Sequence, residues 1–200
     1  MTGNLKITLA SGSAIRADIL HAAGLDFDIV RPGVDEDAIK QQAAKSGADL
    51  EEIAMSLAQA KALAGAQGRE GFVIGADQIL EFEGRAHDKP ATMAAARARL
   101  LEMQGAAHTL INAVAVARDG AVIWRHIDRP ALYLRALSAV EIDAYLAAAG
   151  EEILASVGAY QIEKRGARLF EKIEGDHFAV LGLSLFPLLD FLRQEGAIDF

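Results

Sequence analysis

The sequence contains no cysteine, and it is poor in aromatic residues and in proline. Without cysteine the 200 residues can form no disulfide, thiol nucleophile, iron–sulfur cluster or cysteine-ligated zinc site. Apolar residues make up 52% and charged residues 24% of the chain, which is typical of a globular protein rather than a disordered or fibrous one. The length suits one ordinary domain, or at most two small ones, and is sufficient for a hydrophobic core.

Positive charge is also scarce, because 20 Lys and Arg residues face 28 Asp and Glu residues and leave a net charge of −8. No basic run is present, so we expect no nucleic-acid partner and no binding to membrane surfaces. The longest uncharged run, residues 178–189, is too short to cross a bilayer and contains Pro187. Because no secretory pattern is visible at the N-terminus, we expect a cytoplasmic protein.

The hydrophobic pattern predicts a mixed sheet, because strands and helices alternate early and a hairpin lies late, in one α/β domain over residues 1–200 or in two closely apposed lobes. The hairpin is indicated by Asp119-Gly120, and a helix start by the capping box of Ser138 and Glu141. Strands are predicted at residues 5–10, 27–30, 72–76, 79–82, 110–117, 121–124, 132–134 and 168–173. Helices are predicted at residues 15–23, 49–66, 92–103, 139–149 and 185–193.

The first loop between a strand and a helix carries candidate phosphate ligands. Ser11, Gly12 and Ser13 would present hydroxyl and backbone N–H groups at a helix N-terminus, and Arg16 would add a guanidinium one turn later. The alternative is a serine cap with a solvated arginine. The loop is not a Walker loop, because its Gly-Lys-Ser/Thr ending is missing.

Asp77 follows the apolar strand predicted at residues 72–76. A carboxylate at a strand end suits a metal ligand or a general base, because binding sites of α/β sheets collect there. The alternative is an aspartate that only ends the strand in a turn.

Three other charged positions are ambiguous when each is taken alone. Lys61 lies beside the apolar face of a predicted helix, and Lys89 precedes Pro90, which favours extended backbone. Either could be a solvated surface lysine. Glu36 follows Val34-Asp35 in an acidic turn before a helix, where the alternative role is a favourable charge at the helix N-terminus.

The order of these motifs closely resembles that of the Maf family of nucleoside triphosphate pyrophosphatases, from Leu9 to about Gly196. No single motif is specific, but eight in order make a chance match improbable. They are Leu9-Ala10-Ser11-Gly12-Ser13, Val34-Asp35-Glu36, Ala60-Lys61-Ala62, Ile74-Gly75-Ala76-Asp77, Lys89-Pro90, Gly158-Ala159-Tyr160, Ile173-Glu174-Gly175-Asp176 and Gly182-Leu183.

The resemblance implies an elongated Maf/ITPase-like α/β domain with a mixed twisted sheet, flanking helices and two lobes around a central nucleotide-binding cleft. It implies hydrolysis of a nucleoside triphosphate to the monophosphate and pyrophosphate, and it suggests a homodimer. The implied cofactor is a divalent cation, Mg²⁺ first, with Mn²⁺ or Co²⁺ as alternatives. The implied catalytic residues are Asp77, Glu36, Lys61 and Lys89, with Glu36 and Asp77 as metal ligands. The implied substrate-binding residues are Ser11, Gly12, Ser13 and Arg16.

Departures from the common family pattern concern the choice of base. The family's Ser-x-Ser-Pro-Arg-Arg is Ser11-Gly12-Ser13-Ala14-Ile15-Arg16 here, and its Ile-Gln-Gly is Ile162-Glu163-Lys164. Ile15, Gln78 and Glu163 stand at the positions tied to specificity, and together they resemble the 7-methyl-GTP pyrophosphatase branch. A carboxylate at position 163 would favour the cationic 7-methylguanine base, although it could equally accept from the N–H groups of ordinary guanine.

Two other classes of function remain open. The first is a nucleotide-binding regulator of cell division or septum formation without significant turnover. The second is a noncatalytic α/β interaction protein, for which nucleotides should not raise the melting temperature.

Overall fold

Eight strands form one mixed sheet in the computed structural model, which describes residues 5–199. The strands are β1 (Ile7–Ala10), β2 (Asp28–Val30), β3 (Phe72–Phe82), β4 (Arg85–His87), β5 (Ala107–Arg118), β6 (Ala121–Asp128), β7 (Ala131–Leu134) and β8 (Phe170–Glu174). The helices are α1 (Ala14–Ala22), α2 (Glu36–Lys45), α3 (Leu50–Ala66), α4 (Met93–Met103), α5 (Ala139–Ala149), α6 (His177–Leu181) and α7 (Leu185–Gln194). Two short 3₁₀ helices cover Glu151–Ala155 and Arg165–Leu169.

The sheet has the strand order β2-β1-β3-β5-β7-β8, with β4 paired to β3 and β6 paired to β5. β1 runs parallel to β2 and to β3, whereas the other pairs are antiparallel. The prediction of an α/β fold with a mixed sheet is therefore confirmed. Residues 1–4 and 200 of the predicted domain lie outside the described residues, and the division into two lobes around a cleft stays a prediction.

The two faces of the central strand β3 contact different helices. Val73 and Ile79 belong to the same apolar cluster as the alanines of α3, whereas Phe72 and Ile74 pack with α1 and α7. This alternation follows from the two-residue period of a strand. The helix α3 approaches the sheet closely, because its buried side chains on this face are small, mainly alanine.

Several local signals in the sequence are confirmed by the backbone. Asp119 and Gly120 have φ of +52° and +77° in the turn between β5 and β6, as a two-residue hairpin of the primed type requires. Ser138 and Glu141 form the predicted capping box of α5. Thr92 caps α4 by accepting a hydrogen bond from the N–H of Ala95. Within residues 5–199, no helix is long and apolar enough to cross a membrane.

The main correction concerns β3, which is one continuous strand rather than two. Asp77 and Gln78 interrupt the apolar run, but their backbones continue to pair with Ala113 and Asn112 of β5. Asp77 therefore lies in the middle of a strand and not at its end. The predicted extension over residues 168–173 was also partly wrong, because the chain forms a 3₁₀ helix to Leu169 before β8 begins.

Candidate active site

Over a short interval, one side of β3 has no neighbouring strand among residues 5–199. Along β3, pairing with β1 ends at Gly75, opposite Ala10, and pairing with β4 starts at Leu80, opposite His87. Between these pairs β5 is the only strand within residues 5–199 that pairs with β3. The interval therefore lies at the carboxyl end of the parallel strand β1, which is where α/β sheets commonly place binding sites, and it contains Asp77.

Asp77 projects from the α3 side of β3 and is bound there by Lys61. The Lys61 ammonium donates to Asp77 Oδ1 at 2.7 Å, and the two side chains are only 13% and 11% exposed. Gly75 permits this contact, because a Cβ atom there would lie 2.2 Å from the Ala58 carbonyl oxygen and 2.4 Å from the Ala62 nitrogen. A glycine in the strand thus lets α3 approach closely enough to bring Lys61 to Asp77.

Glu36 reaches the same lysine from a different element. It is the first residue of α2, whose N-terminus is capped by the Asp35 carboxylate through a hydrogen bond from the N–H of Ala38. Its Oε1 lies 2.9 Å from Lys61 Nζ, and its side chain is 45% exposed. One ammonium group therefore lies between two carboxylates, one buried and one facing solvent. The alternative of a solvated Lys61 is wrong.

The first loop differs from a simple serine cap. Arg16 is buried and donates from Nε to the Gly182 carbonyl at 2.7 Å and from Nη1 to the Ala76 carbonyl at 2.8 Å. Ser11 accepts from Arg16 Nη1 and from the N–H of Ser13, both at 3.2 Å. Burial lowers the pKa of Arg16, while the nearby Asp77 charge opposes that change. The solvated-arginine alternative is wrong, because Arg16 fixes this loop beside β3.

Gly12 is exposed at the tip of that loop, and beside it lies Arg31, a cation that the sequence analysis did not assign to the site. Arg31 follows β2, and its Nε is 3.8 Å from the position that a Cβ atom would take at Gly12. Arg31 could have been predicted from the sequence, because the carboxyl ends of the parallel strands β1 and β2 lie at the same edge of the sheet and Arg31 directly follows β2.

The three predicted specificity residues are not brought together by any hydrogen bond or ion pair in the described part of the chain. Gln78 points to the opposite face of β3 from Asp77 and donates from Nε2 to the carbonyl of Ala179 at 2.8 Å. Ile15 packs partly buried on the cluster that includes Leu183. Glu163 is exposed between the two 3₁₀ helices. Their joint role in base selection stays a prediction.

Lys89 is exposed in the segment between β4 and α4, and the preceding residue, Asp88, is hydrogen-bonded to α2. Asp88 Oδ1 lies 2.6 Å from Nζ of Lys40, which follows Glu36 by one helical turn. Burial disfavours the charged form of Lys40, but the hydrogen bond and charge of Asp88 outweigh it and raise the pKa of Lys40. The charges of Asp77 and Glu36 act in the same direction. Lys40 is thus a further cation near the site. Its spacing of four residues from Glu36 on a helix would have predicted that the two side chains lie on the same face.

Few side chains are available to hold a metal ion. Within residues 5–199 no group of three or more His, Cys, Asp or Glu side chains is arranged for one. Glu36 and Asp77 already share a cation, and their second carboxylate oxygens make no hydrogen bond in that same part of the chain. Mg²⁺ is commonly bound by one or two carboxylates together with water and substrate phosphates. The pair therefore fits a divalent cation that arrives with a nucleotide.

His108 is not a candidate base. It is buried, and its Nε2 lies 2.6 Å from the hydroxyl of Tyr160. Burial, with a smaller contribution from His87, lowers the pKa of His108 to about 4, and burial also raises the pKa of Tyr160. The pair belongs to the apolar core between β5 and the chain around Ala159, and its role is structural.

Comparisons with known proteins agree with the order of the motifs. The Maf-like protein family matches residues 6–195. A nucleoside triphosphate pyrophosphatase of Caulobacter vibrioides is 48% identical over 96% of this chain and 96% of its own length. A 7-methyl-GTP pyrophosphatase of Mesorhizobium japonicum is 47% identical over 97% of this chain and 98% of its own.

A solved structure of a dITP/XTP pyrophosphatase from Mycobacterium abscessus aligns with 96% of this chain and 94% of its own, with a TM-score of 0.40 and 16% identity. The family match covers nearly all of the chain, and the two relatives are each well above 30% identical over almost their full lengths. The chain therefore belongs to the Maf family.

Proposed function

We propose that this protein hydrolyses a nucleoside triphosphate to the nucleoside monophosphate and pyrophosphate. The observation that carries the proposal is the Lys61 ammonium held between Glu36 and Asp77, beside the interval of β3 that lacks a neighbouring strand. The relatives at 48% and 47% identity, a nucleoside triphosphate pyrophosphatase and a 7-methyl-GTP pyrophosphatase, support the same reaction class.

Asp77 serves as the proton acceptor in this proposal. A water molecule attacks the α-phosphorus, a new P–O bond forms, and its proton passes to the Asp77 carboxylate. The bridging bond between the α- and β-phosphates breaks, and pyrophosphate leaves. Lys61 holds Asp77 in one orientation through the 2.7 Å hydrogen bond, so that the acceptor oxygen is fixed before the substrate binds.

The triphosphate carries a charge of about −4, and catalysis of its cleavage rests largely on positioning and on stabilising that charge. Lys89 and the Ser11–Gly12–Ser13 loop bind the phosphates in the proposed complex. Within the loop the N–H of Ser13 already donates to Ser11 Oγ, so the exposed Gly12 supplies the backbone donor. Lys89 is exposed and forms no ion pair among the described residues, so its charge is available. Arg16 contributes mainly through the loop, because two of its guanidinium nitrogens already donate to protein oxygens.

Family membership implies a divalent cation, and we propose Mg²⁺, held by Glu36 and Asp77 together with the substrate phosphates. When bound, the cation neutralises phosphate charge and favours attack by water. Glu36 and Asp77 would hold such a cation beside the Lys61 ammonium, which contacts one oxygen of each carboxylate.

Glu163 is proposed to recognise the base, with 7-methyl-GTP as the preferred substrate. The base of 7-methyl-GTP carries a positive charge, and a carboxylate attracts it more strongly than a neutral base. The carboxylate of Glu163 is exposed and unpaired within residues 5–199, which leaves it available to a ligand. The homodimer and the cytoplasmic location stay predictions.

The test of the reaction is Mg²⁺-dependent release of pyrophosphate by the wild type and by Asp77→Asn, with Asp190→Asn as the matched control at an exposed position on α7. We expect activity in the wild type and the control, and a loss of at least about 100-fold in Asp77→Asn. Nucleotide binding without release in the wild type would instead favour the regulator. Turnover of UTP equal to or better than that of 7-methyl-GTP would contradict the proposed base preference.

A further inference from the structure

The segment that carries Lys89 is anchored from two sides through the residue before it. Asp88 follows β4, and its side chain is 84% exposed, yet its Oδ1 accepts a 2.6 Å hydrogen bond from Lys40. Lys40 lies on α2, the helix that begins with Glu36. The side chain of Asp88 thus links the exposed lysine's segment to the helix that carries a proposed metal ligand.

The backbone of Asp88 is held by a second cation. Arg99 of α4 donates from Nη1 to the carbonyl oxygen of Asp88 and, at 2.6 Å, to that of Val157. Val157 directly precedes the Gly158-Ala159-Tyr160 motif, in which Ala159 is fully buried and has a positive φ of 58°. One guanidinium therefore joins the Lys89 segment to the turn that contains the buried Ala159.

The contact of Arg99 is energetically costly, which distinguishes it from an ordinary surface arginine. Burial lowers the pKa of Arg99, and its buried Nε has no hydrogen-bond partner among residues 5–199. An unpaired buried donor opposes folding. The two hydrogen bonds from Nη1 to the carbonyl groups of Asp88 and Val157 offset this cost, and they hold both carbonyl groups in place.

We propose that Asp88 is a positioning residue that holds Lys89 toward the phosphate groups of the substrate. Lys40 fixes the side chain of Asp88, and Arg99 fixes its carbonyl group. The two anchors limit the directions that the long and otherwise exposed lysine can take, which reduces the entropy lost when it binds phosphate. The inference rests on the proposed function, because it assumes that Lys89 binds the nucleotide.

A double-mutant cycle between Asp88→Asn and Lys89→Met tests the proposal. Lys89 would bind the phosphates in the ground state and in the transition state alike, so Asp88→Asn should raise KM for the nucleotide about fivefold and change kcat less than twofold. In the Lys89→Met background, Asp88→Asn should have no further effect, because the residue through which it acts is gone. A merely structural role would leave its effect unchanged in that background.

Matched controls exist for both anchors. Lys45→Met removes an exposed lysine on the same helix as Lys40, and Arg97→Met removes an arginine on the same helix as Arg99. We expect Lys40→Met and Arg99→Met to raise KM as Asp88→Asn does, and both controls to leave it unchanged. Urea denaturation of every variant identifies any loss of folding.

Calorimetry of magnesium pyrophosphate binding to the same four proteins gives a second readout of the double-mutant cycle, and it does not require turnover. A wild type that binds pyrophosphate but releases none from nucleotides would overturn the proposed function and leave the positioning role measurable. An active wild type in which Asp88→Asn acts equally with and without Lys89, or not at all, would overturn the positioning role alone. Absence of an effect from Lys89→Met on both readouts would also overturn it.

Discussion

Substitution of Gly75 by alanine should separate α3 from the sheet and disturb the candidate site. The new Cβ atom would lie 2.2 Å from the Ala58 carbonyl oxygen, whereas ordinary contact begins at 3.4 Å, so the two would overlap by about 1.2 Å. Because the obstructing atoms are backbone, the helix itself must move. Overpacking of this kind costs about 3 kcal/mol, which corresponds to about 6–12 °C in melting temperature for a chain of this length.

The same displacement should break the Lys61–Asp77 contact at 2.7 Å, and a shift of about 1 Å in an active site costs about 100-fold in rate. Melting temperature and pyrophosphate release measured on the purified Gly75→Ala variant test both effects. Gly33→Ala is the matched control, since nothing lies within 4 Å of a Cβ atom there and the backbone does not need a positive φ. A Gly75→Ala variant with the melting temperature and activity of the wild type and the control would show that α3 does not depend on Gly75 for its position.

Three further predictions concern charge. Burial lowers the pKa of His108 to about 4, so the unfolded state binds a proton at this imidazole more readily than the folded state does. The free energy of unfolding measured by urea titration should therefore be about 2 kcal/mol lower at pH 5 than at pH 8. This difference should shrink in His108→Gln. Lys61→Met should lower pyrophosphate release at least about tenfold yet tighten Mn²⁺ binding measured by electron paramagnetic resonance, because Glu36 and Asp77 lose their shared cation; weaker Mn²⁺ binding would contradict the metal site. Glu163→Gln should lower kcat/KM for 7-methyl-GTP about tenfold and that for UTP less than twofold, which a substrate panel measures.

Much of the fold was predictable because its signals are local. The Asp119-Gly120 turn, the capping box of α5 and the apolar face of α3 all depend on residues within a few positions of one another. The continuity of β3 was not predictable in this way. Its polar residues Asp77 and Gln78 stay in the sheet because β5 supplies backbone partners from more than 30 positions further along the chain.

The candidate site was also only partly predictable from the sequence. The motif order correctly indicated the family, but the residue types alone did not reveal which groups touch. Lys61 and Asp77 meet only because Gly75 admits the helix, a contact that depends on tertiary packing. Lys40 and Arg31 were missed because each lies outside the motifs, although a helical i+4 spacing and a parallel strand end were available as signals.

The phosphorus that water attacks is the sharpest test of the proposed hydrolysis. Hydrolysis in water enriched in ¹⁸O, followed by mass spectrometry of both products, shows which phosphorus the water attacks. With Asp77 as proton acceptor beside the α-phosphorus, we predict one ¹⁸O atom in the nucleoside monophosphate and none in pyrophosphate. Label in pyrophosphate, or release of labelled orthophosphate in its place, would contradict the account.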